Sequence, residues 1–401
     1  MKIIIAHFGT YYVNTSGGVE KVTCNLANAL VRRGHEVTIL YRDKVEGKPY
    51  FPLDERVKQY NILFENGKKV VSDKPPLRIR LYREAARLFS QRKAQGINVW
   101  YKGKQYGPRI KEYLDNHPAD LILSCSIPSA KYVIEDAGCT LPVIEMIHSH
   151  PQVQFPDLSE AEKKATVKCR AMQILVLSGL NMAHQYFPEL PVTVIGNAVF
   201  PASKPADLAA PRKVHKVICV GNISGRKNQL MLAKAFASLS KDFPDWQLEF
   251  WGDDSSRYAG QMKQWIRHSK SGENIRVMGK TSHIDDVYAA SDIICMPSRD
   301  EGFPLALTEA MAAGLPAVGF SDSTGVSDII EDGVDGFLVP RSEKNLAGAL
   351  KKLMDDRELR IKMGQSGKSG MKAMKQYAPE HIWDQWEELC QHVLDNEKTG
   401  H

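Results

Sequence analysis

The chain opens on a short apolar run, Ile3-Ile4-Ile5-Ala6, that stops at His7. A run of this length between polar residues reads as a buried strand, Lys2–Ala6. The period then changes. Val19, Val22, Leu26 and Leu30 recur at the spacing of one helix face, and Gly34 fits a C-terminal stop, so Gly17–Arg33 reads as a helix. Glu36–Tyr41 returns to strand character, and Leu121–Cys125, Pro142–Ile147 and Gln173–Leu177 are further apolar runs. Continuous apolar strands alternating with helices predict a mainly parallel sheet covered on both faces.

The alternation breaks over Ala198–Val214, where Pro201, Pro205 and Pro211 stand among several alanines, a linker composition. It then restarts. Val217–Val220, Trp246–Trp251, Ile275–Met278, Ile293–Met296 and Ala317–Phe320 read as strands. Asn228–Lys241 and Pro304–Ala313 read as helices, the second stopped by Gly314. Two successive units of one α/β architecture predict two Rossmann-like domains. The expected division is 1–198, a linker 199–214, a second domain 215–376, and a C-terminal helix 377–401 packing back towards the first domain. Ligands of open α/β sheets bind beyond the carboxyl ends of the strands. Two such domains facing each other across a cleft would suit a donor in the second and an acceptor in the first.

Composition changes this picture in three places. No apolar run approaches the ~18 residues of a membrane-spanning helix, and the N-terminal run is too short for a signal peptide, so a cytoplasmic protein is expected. The seven cysteines are odd in number and contain no C-x-x-C pair, which favours buried reduced thiols over a disulfide framework or zinc ribbon. The net charge of +6 is local: from Lys68 to Lys111, thirteen basic residues stand against Asp73 and Glu84. Within that stretch Leu77, Leu81, Ala85 and Leu88 recur at helical spacing among Arg78, Arg80, Arg83 and Arg87, just after Pro75-Pro76. Two readings stand: an amphipathic helix lying on an anionic membrane surface, peripheral on the inner face of the cytoplasmic membrane, or a basic helix packed on its own domain. No motif for nucleic acid accompanies the charge.

The chemistry concentrates in Ser298-Arg-Asp-Glu301-Gly302-Phe303-Pro304-Leu305-Ala-Leu-Thr-Glu309. A strand ends near Pro297, a glycine-containing turn follows, and a helix opens at Pro304, where the missing N–H of proline costs nothing. The free N–H groups of the first turn and the helix dipole make an anion site. Glu301 falls in the turn and Glu309 in the helix. This stretch resembles the E-x7-E element of the retaining GT-B glycosyltransferases of glycosyltransferase family 4. The resemblance extends in order through Gly17-Gly18-Val19-Glu20, Ile195-Gly-Asn197-Ala-Val199, Val220-Gly221 with Lys227, Trp251-Gly252-Asp253, Met278-Gly279, Tyr288-Ala-Ala-Ser-Asp292, Met296-Pro297-Ser298, Ala313-Gly314-Leu-Pro316, and Asp332-Gly333 with Gly336–Pro340.

The resemblance implies roles. Glu309 would accept hydrogen bonds from a ribose, and Glu301 would lie beside the donor sugar. The backbone of Gly302, Phe303 and Leu305, with Pro304 at the helix start, would meet sugar hydroxyls and phosphate. Lys227 would pair with the diphosphate, Met278 would border the base, Gly17 and Gly18 would admit the diphosphate to the first domain, and His148 would face the transferred sugar. Asn222 stands where the family usually has arginine, and Arg226 is placed to supply that charge. Ser149 follows His148 where aspartate is frequent, and Asp328 replaces a more usual glutamate. The implied reaction is retaining transfer of a hexosyl or N-acetylhexosaminyl residue from a UDP-sugar, with GDP open, to a glycan or lipid-linked acceptor of a bacterial surface polysaccharide such as lipopolysaccharide or capsule. No cofactor is implied and no metal. The chain has no D-x-D triplet, and His148 with His150 lacks the further ligands of a metal site. The glycines of the first domain do not spell the G-x-G-x-x-G of dinucleotide enzymes. The alternatives are a UDP-sugar 2-epimerase, for which no extra acid/base set is evident, and a non-catalytic sugar-binding protein. Taken singly, Glu309 also reads as a solvated helix carboxylate, Glu301 as a turn cap and Lys227 as a surface lysine.

Overall fold

The computed structural model describes residues 1–72, 74–369 and 376–399. The chain forms two compact units, Met1–Gly196 together with the segment from Ile382 on, and Asn197–His381.

The first unit carries the strands β1 (Lys2–His7), β2 (Glu36–Tyr41), β3 (Lys58–Asn61), a small hairpin of β4 (Phe64–Glu65) and β5 (Lys68–Lys69), then β6 (Leu121–Ser124), β7 (Val143–Met146), β8 (Ala171–Ile174) and β9 (Val192–Val194). Seven of them make one parallel sheet in the order β3-β2-β1-β6-β7-β8-β9. Because both faces of this sheet are covered, β6, β7 and β8 are buried at every position. Ile4 and Ala6 of β1, Ile122 of β6 and Met172 of β8 share one core with Tyr106, Tyr132 and Phe155.

The second unit repeats the plan with β10 (His215–Val220), β11 (Trp246–Trp251), β12 (Ile275–Gly279), β13 (Ile293–Met296), β14 (Ala317–Phe320) and β15 (Gly336–Val339), ordered β12-β11-β10-β13-β14-β15. All its pairings are parallel. Each sheet therefore reverses its strand order once, between β1 and β6 and between β10 and β13. Both units are Rossmann-like.

The structure corrects the sequence reading in detail. β8 covers Ala171–Ile174, not Gln173–Leu177. Ala171, Met172 and Gln173 pair with Ile144, Glu145 and Met146, and after Ile174 the chain leaves the sheet for a tight turn at Leu177–Gly179. Leu175 and Val176 are buried for packing rather than pairing, and hydropathy alone does not separate the two. The 199–214 segment, expected as a linker, is held on the second unit. Ala206 N–H donates to Ala313 O at 2.7 Å and Arg212 donates to Ala289 O at 3.0 Å. The last helix, Pro379–Thr399, buries Ile382, Trp383, Trp386 and Leu389. Its Asp384 and Glu387 each receive Arg33 at 2.7 Å, and Glu387 also meets His35 at 2.8 Å. All seven cysteines are free thiols.

Candidate active site

The reversal between β10 and β13 is where an open α/β sheet leaves a crevice at its carboxyl edge. Lys227 lies beyond β10, just before the helix Gln229–Ala237, and Glu301 lies beyond β13. The Lys227 Nζ donates to Glu301 Oε1 at 2.6 Å, with the lysine side chain 19% and the carboxylate 6% exposed. Arg226 reaches the other carboxylate oxygen at 3.6 Å and donates to the Asp300 carbonyl at 2.8 Å. A carboxylate this buried is tolerable only because two cations compensate its lost hydration. Lys227 also lies along Gly221, whose missing Cβ would sit 3.7 Å from Nζ. Asn222 ties the neighbouring loops together instead. Its Oδ1 accepts from Asp253 N–H at 3.3 Å and its carbonyl accepts from Gln229 at 3.1 Å.

Glu301 is fixed through its backbone. Its N–H donates to Thr324 O at 2.9 Å. Gly325 packs against its carbonyl with φ +75°, and a Cβ there would come within 2.6 Å of that oxygen, so only glycine serves. The helix beyond the turn runs Leu305–Ala312, and Pro304 is its cap, not its first residue as the sequence suggested. With ψ at 80°, Pro304 bends the chain so that Leu305 N–H donates back to Phe303 O at 3.0 Å. One of the amides expected to meet a ligand is thus turned onto its own turn, while those of Gly302, Phe303 and Ala306 donate to no backbone acceptor among the described residues. Phe303 is anchored edge-on against Tyr377, ring centroids 4.9 Å apart. Glu309 is half-buried and accepts from Tyr288 Oη at 3.2 Å. Burial, with the Glu309 charge beside it, holds the Tyr288 proton on well above the usual range. Met278 is exposed on β12, next to its terminal Gly279.

The first unit has its own crevice at the reversal between β1 and β6. A cavity of about 140 Å³ is lined by His7, Gly9, Thr10, Ser126, Met146 and His148, among others. His148 follows β7, and its Nε2 is buried without a hydrogen-bond partner. Burial first, and the neighbouring His7 second, lower its pKa to about 4 against the opposing pull of Glu20. The imidazole is therefore neutral at physiological pH. Beside it Glu20, on the helix Gly18–Arg32, is buried and accepts from Thr10 Oγ1. Its Oε1 lies 3.4 Å from His7 Nε2, and His7 Nδ1 lies 3.3 Å from Thr23 Oγ1. Desolvation raises the Glu20 carboxyl, but the hydrogen bonds from His7 and Thr10 and the His7 charge outweigh it and hold it below its usual value. Gly17 caps this helix, and a Cβ on it would fall 2.0 Å from Glu20 Oε2, so a larger residue there would displace the Glu20 carboxylate. Gly18 is the first helical residue. His150, the other half of the H-x-H pair, caps the helix Pro151–Gln154 through Gln152 N–H and meets Ser178 Oγ at 3.1 Å. Among the described residues no cluster of three metal-ligating side chains occurs. Sequence reasoning gave no role to His7, Glu20 or Tyr288. For Glu20 a signal existed, an acid three residues after a helix cap.

The comparisons with known proteins agree with this geometry. Residues 16–220 match the family model described as Glycosyltransferase Family 4, and residues 202–370 match that of Glycosyl transferases group 1. Over 384 residues the chain is 25% identical to an exopolysaccharide phosphotransferase of Streptomyces coelicolor; the match covers 93% of this chain but only 39% of that protein's length. It is 23% identical over 385 residues to a Campylobacter jejuni alpha-1,4-N-acetyl-D-galactosaminyltransferase named for a PP-undecaprenol-linked substrate, covering 94% of this chain and 96% of that one. HepE of Anabaena, solved in complex with UDP, superposes with a TM-score of 0.72 at 17% identity over 98% of this chain and 100% of that one. The chain therefore belongs to the GT-B glycosyltransferases, with a Glycosyltransferase Family 4 domain in its first half and a group 1 glycosyl transferase domain in its second.

Proposed function

We propose that the protein transfers a hexosyl or N-acetylhexosaminyl residue from a UDP-sugar to a hydroxyl of a glycan or lipid-linked acceptor, with retention and without a metal, in the synthesis of a surface polysaccharide. The observation that carries this reading is the buried Glu301 carboxylate held by Lys227 and Arg226 at a strand-order reversal, beside a helix start with unbonded amides. A diphosphate reaching that point competes with Glu301 for Lys227. As the bond from the anomeric carbon to the diphosphate oxygen breaks, negative charge grows on the leaving group, and fixed cations and N–H groups stabilise it more than they stabilise the bound donor. The acceptor oxygen bonds the anomeric carbon on the face the diphosphate leaves, and its proton passes to the departing phosphate. Glu309, oriented by Tyr288, accepts from the ribose, and the neutral His148 hydrogen-bonds a hydroxyl of the sugar. A UDP-bound neighbour and a relative named for a polyprenyl-diphosphate substrate support the nucleotide and the acceptor class.

A panel of UDP- and GDP-sugars, each with lipid-linked glycan acceptors, tests the reading through the nucleoside diphosphate released. Release is expected with a UDP-sugar, dependent on acceptor and unchanged by EDTA. Interconversion of a UDP-sugar without acceptor would make the protein an epimerase, and binding without release a sugar-binding protein. Loss of activity on chelation, restored by Mg²⁺ or Mn²⁺, would end the metal-free mechanism.

A further inference from the structure

The helix Leu77–Phe89 buries none of its residues. Its half-buried positions, Ile79, Arg83 and Ala86, recur three and four residues apart. Arg83 donates to Asn98 of the following helix, Gln91–Asn116, at 3.0 Å, which identifies this as the packed side. The leucine stripe lies elsewhere. At 3.6 residues per turn, Leu77, Leu81 and Leu88 share an arc of about 40°, and all three are bare: Leu77 is 67% exposed, Leu81 62% and Leu88 85%. Phe89 is 85% exposed at the end of the helix, and Tyr82 and Trp100 are also exposed. The helix does pack on its own domain, through Ile79, Arg83 and Ala86, but the apolar stripe is not the surface by which it does so.

The charges around the stripe select what covers it. Arg78 and Arg80 are exposed, and no ion pair or hydrogen bond engages their side chains among the described residues. Glu84, the acid of this helix, is taken by Arg83 and Arg87 at 2.6 Å each. The surrounding stretch from Lys68 to Lys111 has thirteen basic residues against two acids. A second copy of the chain would bring like charge against like charge across such a face. An anionic bilayer surface offers the complement: phosphates for the arginines, the acyl boundary for the leucines, and an interface that suits Tyr82 and Trp100. Among the described residues no helix is long and apolar enough to cross a membrane, so this contact would lie on the surface.

We propose that the Leu77–Phe89 helix is a docking surface for anionic lipid bilayers. The proposal does not rest on glycosyl transfer, and its test reads binding alone. The full chain is sedimented with vesicles of phosphatidylcholine, and with vesicles of equal parts phosphatidylcholine and phosphatidylglycerol, at low and at raised salt. Binding is expected to the mixed vesicles only, and to weaken with salt. Leu81→Gln with Leu88→Gln should weaken it at least tenfold, and Arg78→Gln with Arg80→Gln by roughly fivefold per arginine. These side chains are exposed, so melting temperatures close to the parent's show that each variant folds. Equal partitioning to both vesicles, or undiminished binding by the leucine variant, overturns the proposal. So does self-association, by sedimentation equilibrium, that the leucine pair abolishes in a protein that ignores vesicles.

Discussion

In the second unit the groups beyond the strand ends are charged and already paired, Lys227 on Glu301 at 2.6 Å and Arg226 on Asp300 and Glu301. In the first unit the crevice at the reversal between β1 and β6 holds a buried pair of its own, Glu20 with His7 at 3.4 Å, and beside it, after β7, the half-buried imidazole of His148 with nothing on its buried Nε2. An unmet buried polar atom costs about 1–3 kcal/mol, so a hydroxyl reaching His148 would relieve that cost. A diphosphate reaching Lys227 would have to compete with Glu301. The difference is thus two cations on one buried carboxylate in the second unit against, in the first, a neutral imidazole standing beside a buried Glu20–His7 pair, although both units use the same kind of sheet and the same reversal.

The largest effect should follow from breaking the charged side. Lys227→Ala removes a cation expected to act on the leaving group and leaves Glu301 buried beside Arg226 alone. Loss of one such preorganised donor typically lowers kcat by ~10²–10³. Single-turnover measurements with saturating donor check this. A chemical step within about twofold of the parent would move the phosphate site away from Lys227.

The neutral side predicts a signature in stability. The pKa of His148 is lowered from 6.5 to about 4 in the fold. Between those values the unfolded chain binds a proton that the folded chain does not. The contribution is therefore present above pH 6.5 and lost as pH falls towards 4, by about 3 kcal/mol in all at 1.36 kcal/mol per unit. Urea unfolding of the parent and of His148→Asn over that window should show a steeper acid loss for the parent. Parallel curves would mean that the imidazole is protonated in the fold.

Glu309 separates binding from chemistry within the second unit. Ribose contacts exist in ground and transition states alike, so Glu309→Ala should raise the donor KM by roughly 10–150-fold, the value of a charged hydrogen bond. Tyr288→Phe removes the orienting hydroxyl and should raise it less. A collapse of kcat with unchanged donor KM would assign Glu309 to chemistry.

Much of this architecture was legible in the sequence because the central strands are buried on both faces and appear as unbroken apolar runs. The edge strands were not. β3 reads Lys-Gln-Tyr-Asn and β9 is three residues long, so neither carries a pattern. The ends of β8 were missed because Leu175 and Val176 are apolar for packing. In the site, Glu301 and Glu309 could be found from local turn chemistry and from the order of the surrounding motifs. What they touch could not. Lys227 and Glu301 are 74 residues apart, and Tyr288 and Glu309 are 21 apart. Such pairings are made by the sheet order, and no local period encodes them. The bend at Pro304 that turns the Leu305 amide inward is likewise a matter of one dihedral angle.

The smallest expected effect tests whether a second neutral group, besides His148, lies beneath the first unit's crevice. Glu145 lies on β7, opposite Ser124 and Met172, fully buried with no partner on either carboxyl oxygen. Desolvation raises its pKa well above the usual 4.5, and the nearby Glu162 adds to the shift. The Ser124 hydroxyl opposes it but donates its proton to Ser126 O at 2.9 Å. Glu145 therefore keeps its proton to higher pH in the fold than in the unfolded chain. From pH 4.5 upward the unfolded chain releases a proton that the folded chain keeps, so this group's contribution is complete below 4.5 and declines as pH rises towards the folded pKa. Glu145→Gln keeps the shape and cannot ionise. Near pH 4.5 the variant should unfold within about 1 kcal/mol of the parent, since one neutral polar group replaces another. As pH rises towards 8 the parent should lose ground to the variant. Urea unfolding at both ends of that range measures the difference. A difference independent of pH would mean that Glu145 titrates alike in both states, and a parent gaining on the variant as pH rises would mean a paired carboxylate. In either case the contrast between the two units would rest on His148 alone.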